Sequence, residues 1–210
     1  PSNYTLLRTW TATDACGNRA VATQAITVVD ADYPVFDAPS LPGGTLPQDM
    51  IVSCDAVPPP APLTASDACL AEVPVVFNET RTDGSCADGY VLTRTWTAAD
   101  QCGHESRWVQ RITVIDTEAP LLQGVPGDIV VSCDAVPPPA QPTAIDSCDE
   151  QVEIAYREER VDEACPSGQG CCPQSYRLVR TWTATDNCGN STTASQSITV
   201  EDTQAPVFNE

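Results

Sequence analysis

The string TWTATDACGN at residues 9–18 returns as TWTAADQCGH at 95–104 and as TWTATDNCGN at 181–190. Its tryptophans, Trp10, Trp96 and Trp182, follow one another at intervals of 86 residues. A second block, IVSCDAVPPPAPLTASDAC at 51–69, returns as VVSCDAVPPPAQPTAIDSC at 130–148. Self-similarity at a fixed period is the signature of a repeat architecture. We therefore expect half a repeat (1–36), two whole repeats (37–120 and 121–206) and the start of a further unit (207–210).

Side-chain alternation within each repeat predicts β-strands. In VLTRTWTAAD (91–100), Leu92, Arg94, Trp96 and Ala98 fall on one face and the threonines on the other, which is the period of two that strands show. The same arrangement recurs at Leu6/Arg8/Trp10/Ala12 and at Leu178/Arg180/Trp182/Ala184. Short alternating strands with Gly, Pro and Asp turns predict an all-β fold of tandem immunoglobulin-like β-sandwich repeats, each of about 86 residues and stapled by disulfides.

The charge balance excludes several partners. The 210 residues include 29 Asp and Glu against 10 basic residues, all of them Arg, for a net charge of −19. Such a surface repels phosphate backbones and anionic lipids, so we expect no nucleic-acid partner. The apolar stretches fall far short of the roughly 20 residues that a membrane helix needs, so we expect no membrane span in this segment.

Eleven cysteines indicate an oxidising compartment. Zinc binding is the alternative, but paired C-x2–4-C knuckles are lacking and only His104 is available as a histidine ligand. The sequons at Asn3, Asn78 and Asn190 are acceptors for covalent N-glycans. Together these features favour an extracellular or cell-surface glycoprotein.

Each full repeat carries four matched cysteines, for which three pairings within a repeat are possible. They are Cys54, Cys69, Cys86 and Cys102, then Cys133, Cys148, Cys165 and Cys188. Strand direction favours Cys69–Cys102 and Cys148–Cys188, which leaves Cys54–Cys86 and Cys133–Cys165. Cys171 and Cys172 bond each other as a vicinal pair, or one of them displaces Cys165.

Cys16 corresponds by register to Cys102 and Cys188, so its partner is expected in a preceding repeat or in another chain. Two explanations stay open for the half repeat that carries it. The chain is an excerpt of a longer tandem array, or another chain completes the half repeat by strand exchange. Both describe a linear assembly.

Acidic residues before a proline mark each repeat junction, at Asp30, Asp32, Asp116, Glu118 and Asp202. Carboxylate oxygens are ligands that Ca²⁺ prefers, so calcium is the one cofactor considered. The alternative is a set of solvated turn carboxylates with no cofactor. The aspartates of the D-x-C turns are expected to make Asx turns that fix the neighbouring cysteines; they are Asp14, Asp67, Asp100, Asp146 and Asp186.

Enzyme activity is not predicted, and no catalytic residue is assigned. His104 is the only histidine, it stands where the sister repeats have Asn, and the chain has no Lys for Schiff-base or P-loop chemistry. The proline-rich segments at 56–65 and 135–144 are expected to run as extended polyproline along a sheet edge rather than as ligands of SH3-type domains.

The T-W-T strand with its A-x-D-x-C-G-N turn, the preceding P-T-A-x-D-x-C and the closing I-T-V-x-D-x-x-A-P resemble the hyalin-repeat (HYR) family. The likeness covers essentially the whole chain and is greatest for the Cys-rich variants on large surface proteins. It implies an immunoglobulin-like fold, extracellular display, and roles in adhesion or in extended stalks and fibres. His104 and the CPSGQGCC insert of the second repeat (165–172) depart from the pattern.

These observations predict a non-enzymatic structural subunit of an extracellular filament, stalk or fibril. Its partner is expected to be itself, head to tail, as a linear homopolymer or a longer tandem chain. A cell-surface adhesin that binds a glycan or protein through its loops is the alternative.

Overall fold

The computed structural model describes residues 3–37, 44–162 and 175–201, and these ranges form strands joined by loops and one 3-10 turn at Cys54–Ala56. The strands are β1 (Tyr4–Thr13), β2 (Arg19–Val28), β3 (Val35–Asp37), β4 (Met50–Ser53), β5 (Thr64–Ser66), β6 (Val75–Asp83), β7 (Tyr90–Ala99), β8 (Glu105–Ile115), β9 (Leu121–Gln123), β10 (Ile129–Ser132), β11 (Thr143–Ile145), β12 (Glu153–Val161), β13 (Tyr176–Thr185) and β14 (Ser191–Glu201). Within the described ranges no helix has the length and apolarity that a bilayer crossing requires.

The two full repeats have the same sheet topology. In the first, a four-stranded sheet has the order β4-β8-β7-β6 and a small sheet pairs β3 with β5. In the second, the orders are β10-β14-β13-β12 and β9-β11. β10 runs parallel to β14, whereas β12–β13 and β13–β14 are antiparallel. This all-β, immunoglobulin-like arrangement confirms the predicted fold class.

The half repeat forms only a hairpin, in which β1 pairs antiparallel with β2 from Tyr4↔Val28 to Thr13↔Arg19. The β13–β14 hairpin has the equivalent register, from Tyr176↔Val200 to Thr185↔Ser191. Both turns contain a glycine with positive φ, Gly17 at 88° and Gly189 at 90°, a region that residues with a Cβ rarely adopt.

By its internal contacts the chain divides into two compact units. The first holds the described residues of 1–51, 58–82 and 91–113, and the second holds those of 52–57, 83–90 and 114–210. The division by sequence repeat, at 36/37 and 120/121, stays a prediction.

The core lies on the strand face that alternation predicts. Leu92, Arg94, Trp96 and Ala98 are all buried, and in the first unit Ala65, Val73 and Ala98 pack together with Phe36 against them. Their counterparts on β13 are buried as well: Leu178, Arg180, Trp182 and Ala184. Aromatic rings of the adjoining strands extend this core, since the Phe77 ring centroid lies 5.2 Å from that of Trp96 and the Tyr156 centroid 5.4 Å from that of Trp182.

Candidate functional site

Every described D-x-C turn has its aspartate bonded to the backbone of the following cysteine, as predicted. In each case the cysteine N–H donates to the aspartate Oδ1 two residues earlier, which is the geometry of an Asx turn. The distances are 2.9 Å for Cys16–Asp14, 2.9 Å for Cys69–Asp67, 2.8 Å for Cys102–Asp100, 2.8 Å for Cys148–Asp146 and 2.8 Å for Cys188–Asp186. The local sequence therefore sets the backbone conformation at each of these cysteines.

His104 takes the structural place of asparagine in its turn. The Asn190 side-chain amide donates to Asp186 Oδ2 at 2.9 Å, and His104 Nδ1 lies 2.7 Å from Asp100 Oδ2. The His104 ring also lies against Tyr33, with centroids 5.1 Å apart. These contacts give the histidine a turn-closing role like that of asparagine.

Two disulfides join cysteines of consecutive sequence repeats, and both lie within the second compact unit. Cys54 is bonded to Cys148 with the Cα atoms 5.7 Å apart, and Cys86 is bonded to Cys188 with the Cα atoms 4.9 Å apart. They close loops of 94 and 102 residues. By the chain-entropy argument, a loop of this length stabilises the fold by about 4–5 kcal/mol when it is the only crosslink.

The predicted pairings Cys148–Cys188 and Cys54–Cys86 are therefore wrong, and Cys69 and Cys102 are free in the structure. Strand direction does bring the two cysteines of each predicted pair to the same end of a repeat, but it does not exclude a partner from the adjoining repeat, and the observed bonds join opposite ends of consecutive repeats. Cys54 follows β4, and Cys86 lies in the loop that precedes β7, so both stand at the end of the sheet at which β8 ends. We call this the trailing end of a repeat. The D-x-C and turn cysteines stand at the opposite, leading end, which in the second repeat follows directly from β8.

The other cysteines have separate outcomes. Within the described ranges the free thiols are those of Cys16, Cys69, Cys102 and Cys133, so the pairing of Cys16 with another repeat stays a prediction. The predictions for Cys165, Cys171 and Cys172, including Cys133–Cys165, involve residues outside the described ranges. Burial, followed by the neighbouring Asp30 carboxylate, raises the pKa of the Cys69 thiol.

Buried carboxylates gather at the leading end of the first full repeat. Oxygens of Asp30 and Asp67 and the sulfur of Cys69 lie within 4.8 Å of one another, as do the ligand atoms of Asp30, Asp100 and His104. Asp30 is only 7% exposed, and its Oδ2 and that of Asp67 are buried with no hydrogen-bond partner among the described residues. An unpaired buried carboxylate oxygen is costly, and a cation offsets this cost.

The second repeat repeats this cluster at Asp116. Asp116 and Asp146 approach each other closely, and Asp116 Oδ2 is buried without a partner in the described part of the chain. Burial raises the pKa of Asp116, and the charges of Asp146 and Asp186 act in the same direction, against a hydrogen bond from the Glu118 N–H. The Cys148 sulfur of this cluster is in a disulfide and does not serve as a thiolate ligand.

The sequence predicts Asp30 and Asp116 as candidate calcium ligands, and the structure adds Asp67, Asp100 and Asp146 to the same clusters. The sequence assigns these three aspartates only to Asx turns, which use Oδ1. Asp67 Oδ2 is unpartnered within the described ranges, whereas Asp100 Oδ2 lies 2.7 Å from His104 Nδ1. Asp32 and Glu118 are exposed, and each uses its backbone N–H to donate to Asp30 and Asp116 respectively. Asp202 lies outside the described residues.

The proline-rich segments cover the buried arginine and tryptophan of each repeat. Arg94 donates to the Pro58 carbonyl oxygen at 2.8 Å, and Trp96 Nε1 donates to the Ala61 carbonyl oxygen at 3.0 Å. Arg180 donates likewise to the carbonyl oxygens of Pro137 and Pro138. Prolines lack an N–H but keep their carbonyl acceptors, so these segments, which contain no strand over 57–63 and 136–142, satisfy buried donors.

Each buried arginine also pairs with a half-exposed glutamate. Arg94 Nε lies 2.6 Å from Glu79, and Arg180 Nε lies 2.7 Å from Glu158. The Arg180 hydrogen bond, followed by one from Tyr156, lowers the pKa of Glu158. The arginines that alternation places on the tryptophan face therefore form ion pairs.

The sequons differ in their surroundings. Asn3 and Asn78 are exposed, and the Oδ1 of Asn3 accepts from the Asp30 N–H. The Asn190 Nδ2 donates both to Asp186 and to the Asp116 carbonyl oxygen. A glycosylated amide keeps only one N–H, so a glycan on Asn190 breaks one of these bonds. Glycosylation stays a prediction, with Asn78 the least constrained acceptor.

No protein-family model and no curated protein matches the chain. Among solved structures, the protocadherin GammaB4 extracellular domain is 17% identical, with 95% of this chain and 38% of that chain covered and a TM-score of 0.33. Mouse clustered PcdhgC3 EC1–3 is 14% identical, with 95% and 77% covered and a TM-score of 0.34. Drosophila N-cadherin EC1–4 is 16% identical, with 95% and 59% covered and a TM-score of 0.28.

The chain spans less than two thirds of the protocadherin GammaB4 and N-cadherin structures that it matches. Identities of this size and TM-scores below 0.5 do not assign it to their family. The resemblance to hyalin repeats, which no comparison reports, stays a prediction.

Proposed function

We propose that the chain is a load-bearing module of an extracellular filament or stalk, built from tandem immunoglobulin-like repeats. The observation that carries this proposal is the pair of disulfides Cys54–Cys148 and Cys86–Cys188. A disulfide that only stabilises a domain closes a loop inside one repeat. These two connect one repeat to the next, so tension along the chain passes through covalent bonds at the junction.

An extracellular location fits this role. Structural disulfides persist in oxidising compartments, and the exposed sequon at Asn78 is compatible with a glycoprotein. A net charge of −19 keeps neighbouring chains apart laterally, so contacts between units are confined to specific junctions.

A divalent cation at the carboxylate clusters is part of the proposal. The unpartnered Oδ2 atoms of Asp30, Asp67 and Asp116 support it. Hard oxygen ligands of this kind suit Ca²⁺, which would bring together carboxylates that otherwise repel. A bound cation would stiffen the leading end of each repeat, which in the second repeat lies next to the Cys54–Cys148 disulfide.

Single-molecule extension of the oxidised chain, held at its two termini, tests the load-bearing role. The disulfides withhold the residues between the bonded cysteines, about 100 residues at roughly 3.4 Å each. The final extension of the oxidised chain is therefore expected to be shorter than that of the reduced chain by on the order of 300 Å.

The matched controls are two double variants, Cys54→Ser with Cys148→Ser and Cys86→Ser with Cys188→Ser. Either remaining bond withholds a similar length, so each variant is expected to extend nearly as little as the parent. Equal extension of oxidised and reduced parent chains would contradict the proposal. The adhesin alternative is favoured instead if the native material is non-fibrous and the exposed loops bind a glycan or protein.

A further inference from the structure

Cys133 occupies in the second repeat the place that Cys54 occupies in the first. Cys54 follows β4 in the sequence IVSC, and Cys133 follows β10 in VVSC. β10 is parallel to β14, with Ser132 opposite Glu201. Cys133 therefore lies at the trailing end of its repeat, next to the point at which β14 ends.

The surroundings of the two cysteines differ in one respect. Cys54 is bonded to Cys148, its sulfur lies 3.6 Å from the Ser147 carbonyl oxygen, and the hydroxyl of Ser53 lies 3.9 Å from the Cys148 sulfur. Cys133 is an exposed free thiol, and the Ser132 hydroxyl is buried with no hydrogen-bond partner in the described ranges. Both groups that meet the next repeat at the first junction are thus unpartnered at the second.

At the leading end of the first full repeat, the D-x-C cysteine also has no disulfide partner. Cys69 is the counterpart of Cys148, and both have the same Asx turn, at Asp67 and Asp146. Cys148 is bonded to Cys54, whereas Cys69 is an exposed free thiol. The chain therefore has one completed bond of this kind, one unbonded trailing cysteine and one unbonded leading cysteine.

We infer that Cys133 forms the same disulfide with the D-x-C cysteine of a following repeat. Cys54–Cys148 is then one of a series of equivalent disulfides, one at each repeat junction. We call this series the disulfide ladder and each of its bonds a rung. This inference rests on the proposed function, and it names Cys133 as the residue that links this module to the next one. The following repeat is supplied by a continuation of the chain or by a second copy, in which the bonded residue is Cys69. The chemistry is the same for both sources.

Forming the rung oxidises two thiols to one disulfide, with loss of two protons and two electrons. Oxidised glutathione, or another low-molecular-weight disulfide, accepts them and is reduced to two thiols. The reaction proceeds through a mixed disulfide, which the second protein thiolate then resolves.

The test compares the 210-residue chain with a lengthened chain in which residues 1–206 are followed by an added copy of 121–206. The joint preserves the repeat register, since ITVEDTQAP then precedes LLQG as ITVIDTEAP does at 112–120. Both chains are folded in a glutathione redox buffer. Free thiols are then alkylated, and bonded peptides are mapped after cleavage at acidic residues, which separates Cys133 from Cys148 at Asp134 and Asp146. In the added copy, Ser147→Ala, which matches Ala68 of the first repeat, marks the Cys148 peptide by mass, and Cys133→Ser removes a second Cys133 peptide that would stay alkylated.

In the lengthened chain, alkylation of Cys133 is expected to fall about tenfold or more, and Cys133 is recovered bonded to the marked Cys148. Cys69 stays alkylated because no repeat was added before it. Cys148→Ser in the added copy is the control, and it restores alkylation of Cys133 without disturbing Cys54–Cys148. In the 210-residue chain, a Cys133–Cys69 peptide between copies would support the ladder with a second copy as the source.

Cys133 that is free in both chains, or bonded to a cysteine of its own repeat, would overturn the inference. Recovery of an intrachain Cys69–Cys102 bond would overturn the role of Cys69. The same map reports on Cys54–Cys148 and Cys86–Cys188, and loss of those bonds is the separate result that defeats the proposed function.

Discussion

The hairpins β1–β2 and β13–β14 have nearly the same sequence and the same register but opposite exposure. Trp10 is 52% exposed, whereas Trp182 is 1% exposed. Both hairpins have the Asx turn and the positive-φ glycine. The difference lies in what covers the tryptophan. β12 pairs with β13 and places the Tyr156 ring against Trp182, and the proline-rich segment contacts Arg180 on the same face. The hairpin is therefore a local product of its sequence, whereas burial of its tryptophan requires the first half of a repeat.

The largest difference between the two hairpins is expected when their tryptophans are replaced. Trp182→Ala removes a fully buried side chain and is expected to cost about 3–5 kcal/mol in the free energy of unfolding. Trp10→Ala, the matched control, is expected to cost less than about 1 kcal/mol. Urea unfolding of the oxidised chain measures both, and equal losses would show that the Trp10 face is covered in solution.

The arginines give the next largest contrast. Arg180→Met is expected to destabilise by roughly 2–3 kcal/mol because two proline carbonyl groups and Glu158 lose a charged donor. Arg8→Met, on the exposed hairpin, is expected to change the free energy of unfolding by no more than about 0.5 kcal/mol. A similar effect of both substitutions in thermal or urea unfolding would contradict the role assigned to the proline-rich segment.

Calcium is expected to act at the buried Asp116 and not at Asp14, in the exposed turn of the first hairpin. Millimolar calcium in place of EGTA is expected to raise stability by roughly 1–3 kcal/mol, the effect of a ligand at about ten to a hundred times its Kd. Asp116→Asn is expected to reduce this gain. It should also stabilise the cation-free protein slightly above the pKa of the unfolded carboxyl, because the folded pKa of Asp116 is raised.

Asp14→Asn, in the exposed turn of the first hairpin, is the control for the calcium experiment and should leave the gain unchanged. Differential scanning calorimetry with and without EGTA measures the shift. A thermal midpoint that does not respond to calcium in the parent chain would remove the cation from the proposed function.

The smallest expected effect is on stability at acid pH. Here the exposed turn at Asp14 and the covered turn at Asp100 should behave alike. The Asn18 side chain lowers the pKa of Asp14. At Asp100, burial acts to raise the pKa, but hydrogen bonds from His104 and Cys102 outweigh it and lower the pKa. The stabilisation that each carboxylate contributes is present above the pKa of the unfolded carboxyl, near 3.8, and is lost as pH falls through the lower folded value. Carboxyl titration by NMR is expected to show both midpoints below 3.8; an ordinary value for Asp14 alone would show that its turn needs tertiary packing.

Much of the fold could be predicted because its determinants are local. Alternation placed Trp96 and Ala98 inside, and the D-x-C spacing predicted the Asx turns, since both depend on residues close in sequence. The cysteine partners could not be predicted in this way. Register within a repeat identifies equivalent cysteines but does not say which repeat holds the partner, and that choice depends on the end of the sheet at which Cys54 and Cys86 emerge.

The metal candidates were predicted in part for a related reason. Asp30 and Asp116 stand out as acids before a proline. Asp67 and Asp146 were not predicted as metal ligands. The sequence assigns each of them to an Asx turn, which uses one carboxylate oxygen, and the second oxygen was not considered. The contact between Arg94 and Pro58 had a usable signal, since a buried arginine opposite a run of residues that have carbonyl groups but no N–H predicts such hydrogen bonds.

The two crosslinks interleave along the chain, because Cys86 lies between Cys54 and Cys148, and Cys148 lies between Cys86 and Cys188. A peptide bond cut anywhere from 54 to 188 is consequently bridged by at least one crosslink, and a cut from 86 to 148 is bridged by both. A protease in the surrounding medium can therefore nick this stretch once without parting the two ends. Every repeat junction with the same interleaved pair of disulfides would tolerate a single peptide-bond cut in this way.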